Sequence, residues 1–453
     1  MIRSAVVLAL VSMVAFAARS FLPRTVTVTG SGAALAFGFL LIAAIELGRI
    51  SNAIKLPNLT GYIVCGAVFG PEVLGLVTPA MLSDLGLVKK VAVGLIALLA
   101  GCELNLRALR PRLASIGWIS ALYLPVTVLS LFVLFLALLP LMPFAAGFTL
   151  GQRAAVALVC ANVLAALSPA VVIGILSETR SSGPLSSLSM SIVVVADLLI
   201  VLTFSGTGFI ARALFPDAAS GASLLTELGM HILGSIAVGI GLGALMALYI
   251  RRIGLRVGLF VFATLFFVAE VGSAFHIDPL LAGLSAGMFL ENVSPVSGHQ
   301  VVRQTEPASM PTFAVFFAVV GAEIHLRAFL AVAPFALAAT VVRAGGIYAG
   351  SLLGARIARL EKSVARRLPI GMLPQAGVAI GLADLVQRTH PAWGAAASAL
   401  ILGTVMINQL VGPVLFRFAL QRAGEAGRSD VAEHAVRPPH ASLTIDSRQP
   451  TVP

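Results

Sequence analysis

Fourteen apolar runs, most of them near twenty residues long, dictate what this chain can fold into. They lie at about 2–22, 31–50, 57–77, 86–106, 113–139, 151–178, 186–212, 226–250, 256–276, 278–293, 308–327, 329–357, 366–387 and 394–421. About twenty apolar residues wound as an α-helix match the hydrocarbon thickness of a bilayer. Such a helix also satisfies its own backbone polar groups where no water can. The runs lack the alternation of barrel strands. With 58% hydrophobic and 11% charged residues, a water-soluble globular fold is excluded. The expected fold is an all-α polytopic membrane protein with about 13–14 transmembrane helices.

The net charge of +11 does not point to nucleic acid, because Lys and Arg sit between apolar runs rather than on one face. They read as topology signals. An inside N-terminus places Arg49, Lys55, Arg107, Arg110, Arg112, Arg251, Arg252, Arg256, Arg356, Arg359, Lys362, Arg366 and Arg367 in cytoplasmic loops. Lys89 and Lys90, at a helix start on the other side, are the main exceptions. Both termini are then cytoplasmic, in an inner or plasma membrane. Residues 1–24 form a leading helix or a signal segment, and either leaves residue 25 on the far side. The polar stretch 426–453, with Pro438-Pro439, reads as a disordered tail. Cys65, Cys102 and Cys160 all lie inside apolar runs with no metal or disulfide spacing.

The runs divide into one leading helix, six, a linking helix at about 226–250, and six again. The two sets, about 31–212 and 256–421, resemble each other. AGCELNLRAL at 100–109 matches VGAEIHLRAF at 320–329, sharing Gly101/Gly321 and Glu103/Glu323. GYIVCGAVFGPEVLG at 61–75 corresponds to PLLAGLSAGMFLENV at 279–293. The odd linking helix inverts the second set, which is the architecture of many secondary transporters. The fifth run of each set is also interrupted, by Ser168-Pro169 in the first and by Pro374 followed by Gln375, Ala376 and Gly377 in the second. Proline removes a backbone donor and clashes with the preceding turn. Two breaks in equivalent helices are expected to form crossed discontinuous helices whose freed carbonyls and helix ends face an ion.

Asp197 lies near the middle of 186–205, SSLSMSIVVVADLLIVLTFS, among Val193, Val194, Ile200 and Val201. A carboxylate at that depth costs about 2.5–3.5 kcal/mol on insertion scales, and nothing within a turn satisfies it. Its partner is another helix, water or a bound cation. Asn162, Ser168 and Gln375 carry neutral oxygens suited to replacing part of a cation's hydration shell. Arg343, deep in its own run, requires an anion, and Asp197 or the deep Glu270 is the expected partner. A structural Arg–Glu pair between helices and a direct functional role remain equally open. Glu46, Glu103, Glu323 and Asp384 lie near run ends and read as structural or interfacial.

Taken in order, these stretches resemble the monovalent cation:proton antiporter superfamily, of the sodium/hydrogen exchanger type, over about residues 31–425. The resemblance rests on LPNLTGYIVCGAVFGPEVLGLV, LLAGCELNLRALR, ALSPAVVIGILSE, VVVADLLIVL, VGAEIHL, LPQAGVAIGLA and INQLVGPVLFRFALQRAGE. It implies a scaffold bundle and a mobile transport unit that exchange Na⁺ or K⁺ for H⁺ by alternating access, without a cofactor. Asp197 matches the aspartate that binds cation or proton, and Arg343 the basic residue of the helix facing it. By analogy with relatives the expected assembly is a homodimer through the scaffold. Two departures stand out. The family usually has Asp, Asn or Gln before that aspartate, whereas this chain has Ala196. Its charged residues after the second break are replaced by Gln375, Ala376 and Gly377. One titrating carboxylate implies one-for-one, electroneutral exchange.

The rival readings are a gated cation efflux system on the same scaffold and an organic-anion transporter with Arg343 as substrate ligand. An intramembrane protease needs paired aspartates or a zinc motif; there is no HExxH, and GLAD at 381–384 resembles an aspartyl-protease motif only loosely. A transporter rather than an enzyme is expected.

Overall fold

The computed structural model describes residues 2–21, 31–215, 224–274, 277–296, 298–324 and 326–428. Of the expected tail, everything beyond 428 lies outside the described residues, as does the segment 22–30 that joins the leading helix to the first set. Every apolar run becomes helix, and no strand occurs among the described residues. The leading run is α1 (Ile2–Phe21). The first set comprises α2 (Ser31–Ala53), α3 (Asn58–Phe69), α5 (Gly86–Glu103), α7 (Leu113–Leu138), the pair α8 (Leu150–Leu164) and α9 (Pro169–Thr179), and α10 (Pro184–Leu214), with α4 (Pro79–Asp84) and α6 (Leu106–Leu109) as short connectors. The linking helix is α11 (Leu224–Arg252). The second set comprises α12 (Val257–Ala274), α13 (Pro279–Asn292), α14 (Gly298–Ala322), α15 (Leu326–Ile357), the pair α16 (Lys362–Gly371) and α17 (Gly377–Thr389), and α18 (Gly394–Ala423).

Seven of these stretches are long and apolar enough to cross a membrane by themselves, while α3 and α12 are among the shorter apolar helices. The second helix of each set, α3 and α13, is short, with 12 and 14 residues. A span this short has to be enclosed by neighbouring helices. The same holds for broken ones: the α8–α9 stretch is 94% buried, against 28% for the continuous α15. Irregular backbone at membrane depth is tolerated where protein, not lipid, surrounds it.

Helix packing exchanges the two sets. α3 lies on α14 while α5 lies on α13, α2 touches α14 while α12 touches α5, and α8 meets α18 while α16 meets α10. α7 runs along its own counterpart, α15. Glycine makes the closest of these approaches possible. Gly66 of α3 sits against the Ala318 carbonyl and Gly321 of α14 against that of Ile63; Gly101 of α5 sits against Leu284 and Gly287 of α13 against Leu98. A Cβ at any of the four collides with the facing backbone. The shared Gly101/Gly321 of the sequence alignment thus have equivalent jobs. The second helices correspond in a different register from the aligned one, because Gly66 pairs with Gly287, three residues further along. Small residues recur at short spacing in both helices, so sequence similarity there tolerates a slip. On α15, Gly346, Gly350 and Gly354 form a stripe against the α7 backbone at Thr127, Tyr123 and Ile119.

Lys89, an exception in the charge pattern, is explained by packing. Its Nζ donates to both carboxylate oxygens of Glu323, at 2.8 and 2.5 Å, joining the start of α5 to the end of α14. A second charged fastening lies at the end of α18. Beyond the left-handed Gly424, the buried Glu425 turns back and accepts the N–H groups of Leu185 and Ser186 at 2.7 and 2.8 Å, together with the Ser186 hydroxyl. A carboxylate suits a helix N-terminus, where unpaired N–H groups and the dipole favour negative charge. The helix so capped is α10.

Candidate ion-binding site

The two breaks are made differently. At the first, α8 ends at Leu164, and Ser168 takes up an extended conformation whose Oγ accepts the Val171 N–H at 3.3 Å. Pro169 follows as the first residue of α9, a position where its missing N–H costs nothing. At the second, α16 ends at Gly371 and α17 starts at Gly377 after Pro374, with no side-chain cap. Space around Gly377 is open, so its hydrogen side chain is not demanded by any neighbour. Gly412 of α18, by contrast, lies close against Pro374.

Arg343 of α15 joins the two breaks. Fully buried, it donates from Nε to the Leu164 carbonyl at 2.7 Å, from Nη2 to Ala166 at 2.8 Å and from Nη1 to Leu373 at 2.8 Å. Gln375 adds a bond from Nε2 to the same Leu164 carbonyl at 3.1 Å, while its Oε1 accepts from Asn408 at 2.9 Å. The freed carbonyls therefore face a guanidinium rather than an open ion site. The expected pairing of Arg343 with Asp197 or Glu270 is replaced by three carbonyls, two of them just where α8 ends with the negative pole of its dipole. Glu270 lies on an exposed part of α12, a helix packed on α5 and α14, and is remote from this crossing.

Asp197 sits on α10, 6% exposed, and neither of its carboxylate oxygens has a hydrogen-bond partner. It faces a cavity of about 20 Å³ whose walls include Ala97 and Ala100 of α5, Pro169 and Ile173 of α9, and Leu281 and Leu284 of α13. That volume holds one water or one small ion. Among the described residues the walls offer no other polar side chain. A buried polar atom without a partner is rare in native proteins and carries a desolvation cost. A proton or a metal cation relieves it.

The remaining expected ligands are placed around this cavity rather than in it. Asn162 is buried on α8, donates to the Ile200 carbonyl at 3.4 Å and accepts from the Thr203 hydroxyl at 2.7 Å, so it braces α10 beyond Asp197. Ser168 caps α9, and Pro169 lines the cavity beside Asp197. Gln375 and Pro374 belong to the crossing. The structure thus brings Asp197 together with the first break, and Arg343 together with both breaks, but not Arg343 with Asp197. Sequence reasoning missed Tyr123 on α7. Its ring is fully buried, its hydroxyl is unpartnered, and it lies within electrostatic reach of both Asp197 and Arg343. Ser120 and Thr127, on the same face, also bury unpartnered hydroxyls. Ser120, Tyr123 and Thr127 fall at helical spacing within an apolar run, which was the available signal.

Comparison with known proteins bears on the family and the fold. No curated protein sequence matches the chain. Two solved structures of the sodium proton antiporter MjNhaP1 from Methanocaldococcus jannaschii, one of them at pH 8 and one from electron microscopy, share its fold. Their TM-scores are 0.59 and 0.63 at 15% identity, with 89% of this chain and 97% and 98% of those chains covered. The family model described as "Sodium/hydrogen exchanger, transmembrane" matches residues 37–422. The chain belongs to the sodium/hydrogen exchanger transmembrane family.

Proposed function

We propose that this protein exchanges a monovalent cation, Na⁺ or K⁺, for H⁺ one for one at Asp197. The observation that carries the reading is the unpartnered carboxylate of Asp197 in a cavity large enough for one small ion. A single desolvated carboxylate does not hold a proton and a metal ion together, so each displaces the other. If both loaded forms cross between faces and the empty anion does not, exchange is obligatory and its net charge is zero. Ala196 supports the one-for-one ratio, because no second carboxylate stands beside Asp197 on its own helix.

The pairing of helices supports two inverted repeats, about 31–212 and 256–421, whose interface holds the site and whose relative motion gives alternating access. The charge pattern supports cytoplasmic termini, and the family supports a cell-membrane homodimer. Three of the five N–H groups of Arg343 serve carbonyls, which favours a structural role for this residue over the organic-anion reading. The test is proton flux in proteoliposomes with a trapped pH dye, pulsed with Na⁺, K⁺ or Li⁺. Wild-type protein responds to at least one cation, the response survives collapse of the membrane potential, and Asp197→Asn removes it. Folded protein that moves no protons with any of the three sinks the proposal.

A further inference from the structure

The cavity at Asp197 has a wall whose helix begins with another acid. α13 starts at Pro279, and the residue before it, Asp278, is its N-cap: Oδ1 accepts the N–H groups of Leu280 and Leu281 at 2.8 and 3.0 Å. Leu280 and Leu281 themselves line the cavity that Asp197 faces. The Asp278 carboxylate therefore stands within one helical turn of two lining residues, on a different helix from Asp197. Only one of its oxygens is used in capping; the other receives no hydrogen bond from the described residues. The residue is exposed, so its second oxygen is open to solvent and ions. Its backbone N–H is held by the Ser235 hydroxyl of α11 at 2.8 Å, which fixes where the carboxylate stands. The two acids are within electrostatic reach of each other.

The equivalent place in the first set shows that a cap does not have to come from this residue. There the N-cap of α3 is Pro57, whose side chain caps nothing, and Glu178 from the end of α9 accepts the N–H groups of Asn58 and Leu59 instead, at 2.8 and 3.4 Å. Arg417 lies against Glu178 at 3.4 Å and partly neutralises it. No basic side chain does the same for Asp278 among the described residues. One set therefore spends its carboxylate on capping and an ion pair, whereas the other leaves a carboxylate edge free near residues that line the cavity.

We infer that Asp278 is a second cation-recruiting carboxylate of this protein: its free oxygen draws a partly hydrated monovalent cation to the start of α13 and shares it as the ion passes to Asp197. This rests on the antiport reading of Asp197 and adds to it a residue outside the helix that carries the exchange. Asp278 takes no proton in exchange for the ion, so the one-for-one ratio stands. Its contribution is the concentration at which the cation competes, since a fixed negative charge nearby raises the local cation concentration and strengthens binding.

The capping role allows a clean separation. Asn and Ser cap a helix about as well as Asp but carry no charge. The purified full-length protein is titrated with NaCl, KCl or LiCl, at ionic strength held constant with choline chloride, and its melting temperature followed. Wild type is expected to be stabilised by at least one cation, and Asp197→Asn to lose that stabilisation. Asp278→Asn and Asp278→Ser are expected to melt like wild type without cation but to need roughly tenfold more of it for half-maximal stabilisation. Curves for both variants that overlie wild type overturn the inference and leave the antiport reading intact. Absence of stabilisation of wild type by all three cations, or an Asp197→Asn curve equal to wild type, overturns both.

Discussion

The two helix breaks look alike in sequence and differ in what they do. The first presents its proline to the Asp197 cavity, has its second half capped by Ser168, and hands the carbonyls of Leu164 and Ala166 to donors from elsewhere. The second gives: Gln375 donates across the crossing, Leu373 shares Arg343, and α17 starts without a side-chain cap. None of the second break touches the cavity. The two breaks have diverged, with one forming part of the wall of the Asp197 cavity and the other bonded to it across the crossing.

The strongest way to break this picture is to remove the residue that joins the breaks. Arg343→Met takes the side-chain donor from the Ala166 and Leu373 carbonyls and leaves Leu164 with Gln375 alone, and is expected to cost about 3 kcal/mol, read as a large fall in melting temperature of the solubilised protein. Arg343→Lys restores only part, because an ammonium cannot reach three carbonyls with the span of a guanidinium. If Arg343→Met melts like wild type, the crossing is not held by this residue. A smaller effect separates the caps: Ser168→Ala removes the bond to the Val171 N–H and is expected to cost about 1 kcal/mol, with slower proton flux in liposomes because the loosened turn adjoins the cavity. The smallest concerns Gly377, around which a methyl group meets nothing. Gly377→Ala is expected to change stability by less than about 0.5 kcal/mol and to transport normally. A large transport defect at unchanged stability would sharpen the comparison, showing that the second break closes on a neighbour in another state.

Much of the fold is legible in the chain because bilayer thickness and backbone hydrogen bonding leave few options for runs of this length. The breaks at Ser168-Pro169 and Pro374 are equally local, since proline acts on its own turn. Asp197 stands out because nothing near it in sequence can satisfy it. What stayed hidden depends on contacts between distant segments. Arg343 reads as a cation in search of an acid, and only three-dimensional packing shows carbonyls in that place. Asp278 begins an apolar run and looks like a boundary, although the Asp-Pro pair is a recognisable helix start. The register of α3 against α13 shifted by three because close helix contact selects individual glycines, whereas sequence similarity weighs the whole stretch.

The latch at Glu425 carries a consequence for how the protein is made. The chain emerges from the ribosome N-terminus first, and the amide of Leu185 waits 240 residues for the carboxylate that pairs with it. α10, with Asp197 already in it, is thus inserted long before its first turn is secured. Synthesis that stops short of Glu425 leaves that turn open, so the helix that carries Asp197 is secured only after nearly all of the membrane helices have been made.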